Sequence, residues 1–334
     1  MTRAIPTLDT YVAGKLSSDG CEDFLHIDHD FIAVVDGASD KTGTRVGGRA
    51  GGWIVANAIV ECLKDRNQTP ADATFVQWVA STTAGIDRTL KLLGWPKDVQ
   101  RPAASVIVYS RHHGEMWRVG DCHFRVDGVD FLGGKLFDDN VGDIRREVLL
   151  KAIEDGADIE SLRTDDIGRR AIQGLLDLQY LHANAATSEF GYPVFNGDPI
   201  PPEFLEAPTM IPAGSFVVMC SDGFDFPHET LVETISRQRI SYEKDPLRMG
   251  TDGGRASTKA LSAGAERHDD QCYVSFLSVT PPTKPNQADK EAWSRMLERQ
   301  ARRRHLLRRF GLLDIVNHFA HRRLMRGFPK LPKN

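Results

Sequence analysis

Several acidic residues stand where an apolar run meets a turn. FIAVV at 31 to 35 ends in Asp36-Gly37, SFVVMC at 215 to 220 runs into Ser221-Asp222-Gly223, and Asp269-Asp270 immediately precedes CYVSFLSV. Two further cases are Gly120-Asp121, after EMWRV, and Glu22-Asp23, before FLHI. Carboxylates at strand ends can converge at one edge of a sheet even when they are far apart in the chain. Like charges brought that close repel, so one must take up a proton unless a cation neutralises them. An all-oxygen donor set suits a hard ion, which points to Mg²⁺ or Mn²⁺. Glycine after Asp36 permits a tight turn that offers a backbone carbonyl as a further oxygen. A single Asp-Gly is an ordinary turn signal, and Asp127-Gly128, Asp155-Gly156 and Asp252-Gly253 are read as turns. The order and spacing of the carboxylate set distinguish it from these.

Positioning such a set needs strands. β-branched and aromatic runs predict them at Phe24–His26, Phe31–Val35, Ser105–Ser110, Glu115–Val119, His123–Val126, Ser215–Cys220 and Cys272–Ser278, with RHHG at 111 to 114 as a hairpin turn. Apolar residues at three- and four-residue spacing predict helices at Gly47–Asp65, Thr74–Leu93, Ile144–Glu154, Asp165–His182, His228–Gln238 and Gly253–Ala265. Strands at both ends of the body, with paired long helices after the second, suggest an α+β sandwich of helix-covered sheets. Residues 128 to 212 lack clear strands and read as an inserted flap or lid. A basic, helical tail follows PPTKPNQ.

The chain has 334 residues, enough for a sizeable core. Its formal charge of −4 is uneven: residues 283 to 334 carry 14 Lys or Arg against 4 Asp or Glu, which leaves −14 on the rest. An acidic body argues against specific nucleic-acid binding and fits a protein that collects cations. Five cysteines without CxxC spacing imply reduced thiols rather than a disulfide framework or a zinc site. The N-terminal residues have no signal-peptide core, and no run reaches the roughly 18 apolar residues of a spanning helix. A cytoplasmic protein is expected.

In order, ED at 22 to 23, VVDG at 34 to 37, VGD at 119 to 121, CSDG at 220 to 223 and DD at 269 to 270 resemble the motif series of the type 2C (PPM) metal-dependent protein phosphatases. The resemblance covers roughly residues 10 to 279. It implies a four-layer α-β-β-α sandwich with two antiparallel sheets in residues 1–282, followed by the extension 283–334. It also implies a binuclear metal centre of Mn²⁺ or Mg²⁺. By position Asp36 looks like the carboxylate bridging both ions, Gly37 supplies a carbonyl, Asp222 and Asp269 hold the second ion, and Glu22 and Asp23 act through bound waters. Asp138, in FDD at 137 to 139, is the candidate for a third, more weakly held ion. Two adjacent divalent ions lower the pKa of a bridging water, and the resulting hydroxide can attack phosphorus in line while the ions neutralise charge on the phosphoryl oxygens.

The sequence departs from the family's pattern in three places. Where members often carry an arginine four residues before the Glu of ED, it has Ser18; where many have a histidine after the DG, it has Ala38. Arg45, Arg49 or Lys41 could supply the missing phosphate contact, or could serve only to solvate a loop and a helix start. The long segment at 140 to 212 suggests an unusual substrate or a partner platform. The implied activity is dephosphorylation of phosphoserine or phosphothreonine in proteins. Open beside it are a small-molecule phosphatase and a non-catalytic regulator. The tail, with apolar Leu306, Leu307, Phe310 and Phe319 opposed to Arg302, Arg303, Arg304 and Arg308, could cover the body, bind a protein partner or lie on an anionic surface.

Overall fold

The computed structural model describes residues 7–15, 20–38, 42–251 and 256–279. Ser18, Asp40, Lys41 and the whole tail lie outside them.

One five-stranded sheet has the order β10 (Thr209–Met210), β7 (Glu115–Val119), β6 (Ala104–Ser110), β3 (Phe31–Gly37), β2 (Phe24–Ile27). The other runs β1 (Thr7–Ala13), β12 (Gln271–Leu277), β11 (Phe216–Cys220), β8 (His123–Val126), β9 (Val129–Phe131), and every pairing in both is antiparallel. β4 (Arg45–Val46) and β5 (Arg49–Ala50) form a separate small hairpin.

β3 is apolar from Phe31 to Val35 because both of its faces are covered there. Phe31, Ala33 and Val35 join one core with α1 (Gly51–Lys64) and α2 (Phe75–Leu92), in which Trp78 and Trp117 lie 5.6 Å apart. Tyr109 of β6 meets Phe276 of β12 across the gap between sheets, at 5.0 Å. On the far side, Val218, Cys220, Phe224 and Tyr273 pack with Leu231 and Ile235 of α6 (Leu231–Lys244). Two helices, two sheets and one helix thus make an α-β-β-α sandwich. All five cysteines are buried and free. No helix among the described residues is long and apolar enough to cross a membrane.

Two expectations need correction. The segment 128 to 212 contains strands β9 and β10, besides α3 (Leu136–Glu154), α4 (Ile159–Thr164) and α5 (Ile167–Asp177). Its Pro- and Gly-rich half is no free flap. Phe195 exchanges backbone hydrogen bonds with Ala104 at 2.9 and 3.0 Å, and its ring, wholly buried, meets Trp78 edge-on at 5.3 Å. Nor are residues 256–265 a helix. Guanidinium groups from the insertion take their carbonyls instead: Arg145 donates to Ser257 O, Arg169 to Thr258 O, and Arg163 to Leu261 O and Ser262 O. Arg145 is fully buried, also donates to Leu247 O at 2.8 Å, and pairs with Asp166 at 2.7 Å, so one side chain fastens the insertion to the segment after α6.

Phe195→Ala is therefore expected to destabilise the whole domain by about 3–5 kcal/mol, as a core cavity does, in a single cooperative urea transition. Separate melting of the insertion would contradict the anchoring.

Candidate metal centre

The ladder registers place the carboxylates before any side chain is considered. In the first sheet Phe24 pairs with Val35, Asp36 with Ser105 and Val106 with Val119. The C-terminal ends of β3 and β7 therefore share an edge with the start of β2, where Glu22 and Asp23 precede it. In the second sheet Cys220 pairs with both His123 and Tyr273, which brings the end of β11, with Asp222 beyond it, beside the start of β12, with Asp269 and Asp270 before it. Asp121 lies where the chain passes from β7 to β8, between the sheets.

Close backbone approaches fix these positions. Gly120 has φ 95°, and a Cβ there would stand 2.2 Å from Ser105 Oγ. A Cβ on Gly223 would meet Asp270 O at 1.8 Å, so only glycine can follow Asp222.

Carboxylate oxygens of Asp36, Asp121 and Asp222 lie within 4.8 Å of one another. Burial, followed by the charges of Asp222, Asp23 and Asp121, pushes the Asp36 carboxyl well above its usual range. Burial and the charges of Asp121 and Asp269 push Asp222 up to about 7, against the opposing effect of Lys135 and a hydrogen bond with Asp36. Asp23 is buried and likewise raised by burial despite a hydrogen bond with Ser221; its Oδ2 has no hydrogen-bond partner. Glu22, pushed up to about 7 chiefly by burial, accepts from Trp53 N at the start of α1 (3.3 Å).

Elsewhere in the set the charges are already paired. Asp269 lies between Lys259 Nζ (2.5 Å) and Lys15 Nζ (3.2 Å); burial alone would raise it, but the two ammonium groups hold it far below the usual range. Asp121 accepts from Ser105 Oγ at 2.5 Å and pairs with Lys135 Nζ at 2.7 Å, and these partners outweigh its burial and depress it. Asp270 is structural in its contacts: it accepts from Lys15 N and Glu22 N, both at 2.8 Å, and so ties the two sheets' site loops together.

The other residues singled out from sequence are placed as follows. Gly37 lies in β3 beside Asp36, paired with Ala104. Asp138 stands in the first turn of α3 and accepts from Gln179 Nε2 at 2.9 Å. Arg45 and Arg49 belong to the small hairpin, where Arg45 donates to Gly48 O and Arg49 lies over the Trp53 ring at 4.4 Å. Neither lines the cleft at the centre, which measures about 640 Å³. Its cationic lining comes instead from Lys97, Arg101, Lys135, Arg169, Arg248 and Lys259. Sequence reading passed over these, and it noted Asp121 without nominating it as a ligand. Only Asp121 carried a signal, the VGD at a strand end.

The donors fit a hard divalent ion: all are oxygens, two carboxyls are pushed up by burial and by neighbouring carboxylates, and a buried carboxylate oxygen lacks a partner.

No family model and no curated protein matches this chain. Solved structures do. The chain is similar to the catalytic domain of serine/threonine protein phosphatase PstP, solved with two manganese ions, at 15% identity over 81% of this chain and 97% of that one (TM-score 0.43). It is similar to the PPM Ser-Thr phosphatase MsPP from Mycobacterium smegmatis, in complex with cacodylate, at 13% over 82% and 99% (0.42). It is also similar to RsbX in complex with magnesium, at 12% over 82% and 100% (0.38).

Two measurements follow from the electrostatics. In EDTA at pH 8, Asp36→Asn is expected to raise the melting temperature by relieving repulsion with Asp222; a lower one would show that the pair does not strain the metal-free fold. At the rim of the cleft, burial alone would raise Asp225, but Arg248, pairing through both nitrogens at 2.6 and 3.1 Å, holds it down at about 2 with help from His268 and Gln238. A depressed carboxyl stabilises the fold above its unfolded pKa and loses that contribution as pH falls through the folded value. The stability gap between wild type and Asp225→Asn should therefore narrow by about 2 kcal/mol from pH 5 to pH 2, measured by urea titration at each pH.

Proposed function

We propose that this chain is a metal-dependent phosphomonoesterase of the type 2C (PPM) class, acting on phosphoserine or phosphothreonine in proteins. The observation that carries the proposal is the meeting of Asp36, Asp121 and Asp222, from strand ends far apart in sequence, at one edge of two packed sheets. Asp36, the Gly37 carbonyl, Asp222 and Asp269 would hold two Mn²⁺ or Mg²⁺ ions, with Glu22 and Asp23 behind them. Bound there, the ions would supply an activated water and neutralise charge on the phosphoryl oxygens.

The chain's own residues have four tasks. Asp270 and the glycines after Asp36 and Asp222 hold the carboxylates in register. Lys15 and Lys259 keep Asp269 ionised and aimed, and would have to share it with an ion. The insertion walls the cleft with Gln179, Tyr180 and Tyr192, which limits the approach of water and of bulky substrates. Arg169, which lines the cleft from α5, takes the place of Arg45 and Arg49 as the proposed phosphate contact, with Lys41 as the other candidate.

Residues 1–282 would form the catalytic body, and 283–334 an appendage for the body itself, a protein partner or an anionic surface. Five free, buried thiols support a reducing compartment, and we place the protein in the cytoplasm. A phosphorylated small molecule is the second substrate class, favoured by the wall that the insertion builds over the cleft.

Hydrolysis of p-nitrophenyl phosphate is expected with Mn²⁺ or Mg²⁺ and not with EDTA. It should fall by more than about a hundredfold in Asp36→Asn and Asp222→Asn, beyond the loss typical of outer-shell partners. Full activity in both variants would refute the assignment, and phosphopeptides assayed beside phosphorylated metabolites would separate the substrate classes.

A further inference from the structure

Lys135 is the residue before α3, where its ammonium, a donor with no lone pair to offer, cannot cap the helix. Its chain turns inward. The ammonium reaches Asp121 Oδ2 at 2.7 Å with only 14% of the side chain exposed, and it lies 5.5 Å from the centroid of the Tyr192 ring. A lysine is rarely so enclosed, since removing an ammonium from water is costly unless anions surround it. Here the anions are Asp121, Asp138 and Asp222, whose charges act on it in that order of strength. Gly133, two residues earlier, lets the chain pass against Asp121: a Cβ there would stand 2.2 Å from Asp121 O, and its amide donates to His123 Nδ1 at 2.9 Å. The approach of Lys135 to Asp121 is thus built by the backbone.

Both oxygens of Asp121 are consequently engaged, Oδ1 by Ser105 and Oδ2 by Lys135. We infer that the Lys135 ammonium is a tethered cation that takes the place of one divalent ion beside Asp121, so that the centre holds no third ion between Asp121 and Asp138. This rests on the metal-centre reading above and corrects it at one position, because Asp138, in the first turn of the helix that Lys135 precedes, then has the ammonium's charge nearby in place of an ion's. A fixed charge at that place cannot dissociate, and the centre's net charge becomes independent of a weakly held ion.

Counting Mn²⁺ by isothermal titration calorimetry on the full chain tests this. The wild type is expected to bind two ions, Lys135→Met one more than the wild type, Lys135→Arg the same as the wild type, and Lys135→Met with Asp138→Asn again the wild-type number. A third ion in the wild type, or no gain in Lys135→Met, would overturn the inference; the wild-type count decides even where Lys135→Met does not fold. A wild type binding no Mn²⁺ would overturn this inference and the metal-centre reading together, whereas two ions in both wild type and Lys135→Met would overturn the inference alone.

Discussion

Repulsion between carboxylates is the constraint around which this molecule is arranged. Asp36, Asp222 and Asp23 would not choose each other's company, since desolvation and like charge both oppose their ionised forms. They meet because five strands of β-branched and aromatic residues, buried on one or both faces, fix where the chain ends must lie. The hydrophobic burial of the sheets is spread over dozens of side chains, and a few like-charge contacts at one edge cannot outweigh it. Ammonium groups offset part of the charge, at Asp121 and Asp269, and leave Asp36 and Asp222 facing the same cleft without one.

That division gives the centre two kinds of carboxylate. Asp121 and Asp269 are depressed and paired with lysines; Asp36 and Asp222 are raised, first by burial and then by neighbouring carboxylates. The second kind has the higher affinity for any incoming positive charge, whether a proton or a divalent ion. A site built this way is sensitive to single neutral substitutions in opposite senses: removing an unneutralised carboxylate relieves strain, whereas removing a lysine adds to it.

Much of this was legible because its signals are local. Glu115–Val119 and His123–Val126 form strands over the residues that their aromatic and β-branched content indicates, with RHHG as the turn before them. The strand from Phe31 runs two residues past Val35, because Asp36 and Gly37 themselves pair with Ser105 and Ala104. Thr7–Ala13 escaped notice: its residues alternate in a short polar run at the sheet edge, and its partner β12 lies more than 250 residues away. The composition of FGYPVFNGDP reads as loop, and nothing local marks Phe195 as a core residue. Isolated lysines carry no pattern at all, so the roles of Lys15, Lys135 and Lys259 became visible only when the sheets brought their partners to them.

The anchoring of the insertion also bears on how substrates are sorted. A lid on hinges selects by closing, and its speed and its choice are coupled. Here Phe195 is stitched to the first residue of β6 and seated on Trp78, while Arg145 clamps the opposite end to the segment after α6. The cleft is therefore closer to a mould than to a jaw. In a mould, a change of diet comes from recarving single faces such as Arg169, Gln179 or Tyr180, with the scaffold and its charge balance left untouched.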